Sequence, residues 1–209
     1  MSPPFLYESI VYVALGTPHL EESIHFYQDL MGLELSKHEA QKYASFRCSD
    51  YSTNLVLRQN PEAGLLRVGL KLQSANETRK ARKHFQERGY EIKQMSAEES
   101  ELFDLGENFS VFEPHTGITF DFFHDMIELA FSFKPTLTKI QRLGHVVIKT
   151  KNLETAWKIM EEDFSFVASD YVSDKAVWMR CFPNPFHHSF AIIQDDNVGL
   201  HPVKFIVSE

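Results

Sequence analysis

Short β-rich runs and amphipathic stretches alternate along this chain, and the alternation recurs. IVYVALGT is an apolar, β-branched run closed by a polar turn, the pattern of a strand. In HLEESIHFYQDLMG, Leu20, Ile24, Tyr27 and Leu30 fall at three- and four-residue spacing, which predicts a helix ending at Gly32. KYASFRCS and TNLVLRQ then read as strands. The next segment, LLRVGLKLQSANETRKARKHFQERGYEI, has the plan strand, turn, helix, Gly, strand. Its hairpin, NFSVFEPHTGITFDFF, turns at PHTG. LETAWKIMEEDF predicts another helix, KAVWMRCF and HSFAIIQ two more strands, and GLHPVKFIVSE a last one.

These elements are repeats in a fixed register. Tyr12 aligns with His145, Leu20 with Leu153 and Phe46-Arg47-Cys48 with Met179-Arg180-Cys181, always 133 positions apart. After a two-residue insertion, Leu55 aligns with Phe190 and Val68 with Val203, now 135 apart. Arg67 falls where Tyr12 falls in its own unit, so units begin near residues 7, 64, 140 and 199. The expected fold is α+β: tandem βαβββ modules, three of them plus the first strand of a fourth. Residues 1–128 form the expected N-terminal pair, 129–139 a linker around Pro135, and 140–209 an incomplete C-terminal domain. By analogy with the second unit, the helix and hairpin of the fourth are expected to be absent from this chain.

Composition narrows the partners. The net charge of −8 repels phosphate backbones, and no run approaches a membrane span, so neither nucleic acid nor membrane is an expected partner. With no basic flank before the first apolar run and only two cysteines, Cys48 and Cys181, a cytoplasmic protein with reduced thiols is expected. Ten histidines matter only where they converge, and most show no metal-ligand spacing.

The four-unit layout, the strand LGHVVIKT and the later HHSFAII together resemble the vicinal oxygen chelate superfamily, and within it the type I extradiol dioxygenases. The resemblance implies ring opening of a small catechol-type aromatic substrate with O2 and Fe(II), or Mn(II). It implies a facial triad of two histidines and a glutamate, which leaves positions open for substrate and oxygen. The first ligand opens unit three, here His145. The second opens unit four, where the family has two adjacent histidines and the second binds. This chain reads Leu200-His201-Pro202-Val203, and the repeat register places Pro202 at the ligand position. Strand alternation turns His201 away unless a bulge intervenes. The glutamate belongs to the last strand of unit four, and its counterpart in unit two is Asp121. His188 matches the family's acid/base histidine, and its neighbour His187 is expected to face the opposite way. Trp178, Phe182 and Phe186 could line an aromatic pocket or simply pack in the core.

One clear ligand of three implies weak Fe(II) binding and little turnover. Two other readings remain open. One is a non-catalytic small-ligand-binding or dimerisation module of the same fold, and a homo-oligomer is expected in either case. The other is a glyoxalase-like metal-dependent isomerase or lyase using Tyr12, Arg67 and Asp121 of the N-terminal pair, where the Arg67 charge opposes a cation.

Overall fold

The computed structural model describes residues 3–136 and 138–208; Leu137, in the expected linker, and Glu209 lie outside the described residues. The first module runs β1 (Tyr7–Thr17), α1 (Leu20–His25), β2 (Glu34–Glu39), β3 (Tyr43–Arg47) and β4 (Leu55–Gln59). The second has β5 (Gly64–Leu72), α2 (Ala75–Glu87), β6 (Ile92–Lys93), α3 (Ala97–Phe103), β7 (Asn108–Glu113) and β8 (Ile118–Phe123). The third has β9 (Ile140–Thr150), α4 (Leu153–Glu162), β10 (Phe166–Val172), β11 (Ala176–Cys181) and β12 (Phe190–Gln194), and β13 (Gly199–Val207) follows.

Two elements depart from the sequence pattern. The first helix is α-helical only to His25; Phe26–Leu30 form a wider π-helical turn, in which the Met31 N–H reaches the Phe26 carbonyl at 3.0 Å. The segment still ends at Gly32, whose φ of +73° is the left-handed conformation that glycine adopts without strain. The second departure is α3, which apolar spacing did not reveal. Its signal is the capping pattern Ser96-Ala97-Glu98-Glu99, in which the Ser96 hydroxyl accepts the Glu99 N–H at 3.1 Å.

Eight strands form one sheet in the order β2-β3-β4-β1-β5-β8-β7-β6, and five form another, β10-β11-β12-β9-β13. The repeat is visible in the pairing. β1 runs parallel to β4 with Val13 opposite Leu55, and β9 runs parallel to β12 with Val146 opposite Phe190. β1 is antiparallel to β5 with Val13 opposite Val68, and β9 is antiparallel to β13 with Val146 opposite Val203. The internal alignment of the sequence is therefore the alignment of the ladders.

One face of both sheets joins the helices in a shared core that includes Val13, Phe85, Phe122, Val146, Met160 and Phe190. Phe164 bridges the halves: its ring lies 5.0 Å from Phe85 and 4.7 Å from Phe120, and its carbonyl accepts the Tyr7 hydroxyl. The opposite face of the first sheet carries a second cluster, with Tyr12, Ala14, Val56, Phe103 and Phe123. Strand alternation thus sends neighbours such as Tyr12 and Val13 to different sides. No helix among the described residues is long and apolar enough to cross a membrane.

Candidate active site

Pairwise equivalence defines two candidate sites, one per sheet, and they differ in content. In the first, Tyr12, Arg67 and Asp121 converge. Asp121 is fully buried and accepts the Tyr12 hydroxyl at 2.7 Å. Arg67 grips the same carboxylate through Nε at 2.8 Å and Nη2 at 2.7 Å, a bidentate pair. The Ser110 hydroxyl donates to it at 2.7 Å. Burial, and then the Asp121 charge, push the Tyr12 phenol well above its usual range, so it remains a donor. The α3 helix closes this site: the Phe103 ring stacks on Tyr12 at 4.6 Å, and Glu99 stands 3.4 Å from Arg67. Gly69 opposite Tyr12 is required here, because a Cβ would lie 2.2 Å from the phenol ring. Tyr12, Arg67 and Asp121, expected from sequence as the alternative glyoxalase-like site, thus form a guanidinium–carboxylate pair capped by an aromatic plug.

At the second site, β9 presents His145, half-buried, with its ring centroid 4.3 Å from that of His188. Burial, then His188 and Lys204, hold the His145 pKa down to about 4. His188 is also lowered, by burial and then by His187 and Lys204, so both rings are neutral near pH 7. His187 does not turn away from its neighbour. Both residues precede the first paired residue of β12, where alternation does not apply, and their Nδ1 atoms lie 3.0 Å apart.

The resemblance in sequence places a second ligand at the start of β13, and there the chain reads Leu200-His201-Pro202. With Val203 opposite Val146, Pro202 holds the register of Arg67, and Lys204 lies opposite His145 where Gly69 lies opposite Tyr12. The ladder is irregular between Leu200 and Val203, so strict alternation does not place His201. The equivalent break in the first half lets both Leu66 and Arg67 reach the inner side, and Leu66 packs on the Tyr12 cluster. His201 itself is solvent-exposed.

These residues do not fit a facial-triad metal ion. Pyrrolidine offers no lone pair at Pro202, and Lys204 stands across the ladder from His145, where its ammonium charge opposes a cation. Among the described residues no three His, Cys, Asp or Glu side chains converge as a metal site.

The three aromatic candidates occupy separate environments. Trp178 is in register with Ala191 and, through it, with Val147, which puts it on the His145 face of the sheet. The Phe182 ring lies 5.3 Å from the Arg180 guanidinium. Phe186 is exposed, and Arg142 covers it at 3.9 Å.

Comparison with known proteins agrees with this architecture. The halotolerant catechol dioxygenase BphC superposes with a TM-score of 0.88 at 23% identity, over 98% of this chain and 71% of that one. A substrate complex of homoprotocatechuate 2,3-dioxygenase from Brevibacterium fuscum gives 0.82 at 23% identity, over 98% and 65%. The Mn(II)-bound glyoxalase from Novosphingobium aromaticivorans gives 0.79 at 22%, over 94% and 64%. The chain therefore spans roughly two thirds of the length of these structures. No curated protein matches it in sequence. The family model for the glyoxalase/bleomycin resistance protein/dioxygenase superfamily matches residues 9–122, more than half of the chain, including Tyr12, Arg67 and Asp121. On that match and on the paired modules, the chain belongs to the glyoxalase/bleomycin resistance protein/dioxygenase superfamily.

Proposed function

We propose that this chain is an extradiol-dioxygenase-like protein that binds a small aromatic diol at the site on its third module. The observation that carries the reading is the contact of two neutral imidazoles, His145 and His188, on the face that also bears Trp178. Ring-cleaving relatives of the same architecture act on catechol and homoprotocatechuate, as their names say. When bound, Fe(II) or Mn(II) would supply Lewis acidity and an oxygen site. The residues here do not complete its ligand set, so no step through it follows.

What the chain's own groups do is narrower. With Nδ1–H donated to His187, His188 presents an Nε2 lone pair that can take a proton from a diol hydroxyl. Trp178 offers a flat apolar surface to the ring. A second reading, binding without catalysis, is favoured by Lys204. An ammonium opposite His145 suits a phenolate oxygen better than a metal cation.

The test is anaerobic. Catechol is titrated into the chain with and without Fe(II), and O2 is then admitted. The reading expects metal-independent catechol binding that His145→Ala weakens, and little coloured ring-opened product. Absence of catechol binding refutes the diol reading. Rapid colour formation refutes the claim that the metal set is incomplete.

A further inference from the structure

A separate cavity of about 500 Å³ lies where the N-terminal segment meets the third module. Its apolar wall is Pro3, Pro4, Leu6, Val167 and Phe182, and Arg180 lines it as well. His145, His188 and Trp178 do not line it; Arg180 shares their sheet face, but the cavity opens toward the N-terminal segment and α2 instead.

The repeat explains why Arg180 is unusual. Its counterpart in the first module is Arg47, and both arginines stand at the same place in a β-ladder. Arg47 lies opposite Glu34, and its Nη2 is 2.8 Å from the Glu34 carboxylate. Its Nη1 donates to the Phe131 carbonyl at 2.9 Å. Arg180 lies opposite Val167, the counterpart of Glu34. The repeat has kept the guanidinium and removed its carboxylate. Among the described residues Arg180 makes no ion pair and no side-chain hydrogen bond, whereas the Nε of each arginine is buried without a partner. Its two Nη groups, with no protein acceptor among the described residues, are free to grip a ligand carboxylate.

The other charges at the cavity are already matched. Glu77 accepts the Leu6 N–H at 2.9 Å through Oε2 and pairs with Lys80 at 2.7 Å through Oε1. Among the described residues this leaves Arg180 as the unpaired charge lining a largely apolar pocket of a size suited to a small molecule.

We propose that this cavity binds a small monocarboxylate with a flat apolar body, and that its carboxylate takes at Arg180 the place that Glu34 takes at Arg47. The guanidinium fork matches a carboxylate in two parallel hydrogen bonds, and Phe182 beside it packs against the body. The site does not depend on the aromatic-diol reading, since it shares neither imidazole with that site.

The experiment titrates the full chain calorimetrically with benzoate, with neutral benzamide of the same shape, and with acetate, which lacks the ring. Benzoate is expected to bind, and both others to bind more weakly. Arg180→Met should weaken benzoate by roughly tenfold or more and leave benzamide unchanged, as expected for loss of a charge-assisted pair. Val167→Glu rebuilds the internal pair of the first module, so it should expel benzoate while the protein melts at no lower temperature. No benzoate binding, equal affinity for benzoate and benzamide, or unchanged benzoate affinity in Arg180→Met would each overturn the proposal. Catechol binding, measured on the same variants, should be unaffected, which separates failure of this site from failure of the diol site.

Discussion

Lys204 lies directly across the β9–β13 ladder from His145, in the place where Gly69 lies across from Tyr12. The same ladder position thus has opposite uses in the two halves. In the first, glycine makes room for a phenol that donates to a buried carboxylate. In the second, a lysine sets a positive charge beside an imidazole and helps to keep that imidazole neutral. The charge environment of His145 is thus set in part by the strand opposite it.

Restoring the family residue at the second ligand position should therefore change metal affinity. Pro202→His places an imidazole in the register that Arg67 occupies in the first half. Co(II) affinity, followed by visible absorption, is expected to rise by at least about 10- to 100-fold, the range that a supporting outer partner alone commands. His145→Ala in the same background should abolish the gain. Unchanged affinity would mean that residue 202 does not face His145.

The Arg67–Asp121 pair should matter for folding rather than for catalysis. Asp121 is fully buried, and its carboxylate receives Tyr12, Ser110 and both arms of Arg67. Asp121→Ala strips a largely buried guanidinium of its bidentate partner, leaving only the Glu99 carboxylate at 3.4 Å, and is expected to cost about 3–5 kcal/mol in urea unfolding. Arg67→Met combined with Asp121→Leu should recover most of that loss, because two apolar groups of similar volume leave no charge behind. A single-variant cost below about 1 kcal/mol would argue against an intact pair.

Much of this was legible in the sequence because the chain contains its own alignment. Tyr12 with His145, and Val68 with Val203, are spacings that the ladders reproduce. Strands with period-two patterning and helices with clear apolar spacing were correspondingly visible. The α3 helix was hidden because only Leu102 and Phe103 at its end are buried, too few to set up a helical period. The closure of the first site by Phe103 was hidden with it. The contact of His187 with His188 escapes alternation for another reason: they lie three and two residues before the strand begins to pair at Phe190. The vacant guanidinium of Arg180 was visible in principle as Glu34 aligned with Val167, but its meaning needed the cross-strand partners.

Both thiols should be inert in the native protein. Cys48 and Cys181 are fully buried counterparts in the two halves. Burial pushes the Cys48 thiol up to about 12 and the Cys181 thiol higher still. At pH 8 neither should react with an aromatic disulfide reagent on the mixing timescale, and both should react in denaturant. Reaction should follow unfolding, so its rate should fall wherever stability rises. A thiol titrating within seconds in native buffer would contradict this burial.

Finally, His145 should make stability depend on pH in a defined window. Its folded pKa is about 4, depressed chiefly by burial and then by His188 and Lys204, against about 6.5 for an unfolded histidine. Between those values the unfolded chain binds a proton that the folded chain does not. Stability therefore rises with pH across the window, and is lost as pH falls from about 6.5 to about 4. The full difference corresponds to about 3 kcal/mol, and solvent screening at this half-buried site reduces it to about 1–2 kcal/mol. Urea unfolding of the native chain and of His145→Asn, both in a metal chelator, should give curves that diverge as pH falls, with the native chain losing more. Parallel curves from pH 4 to 7 would show that residue 145 is as solvated in the folded state as in the unfolded one, and the site built around it would not exist.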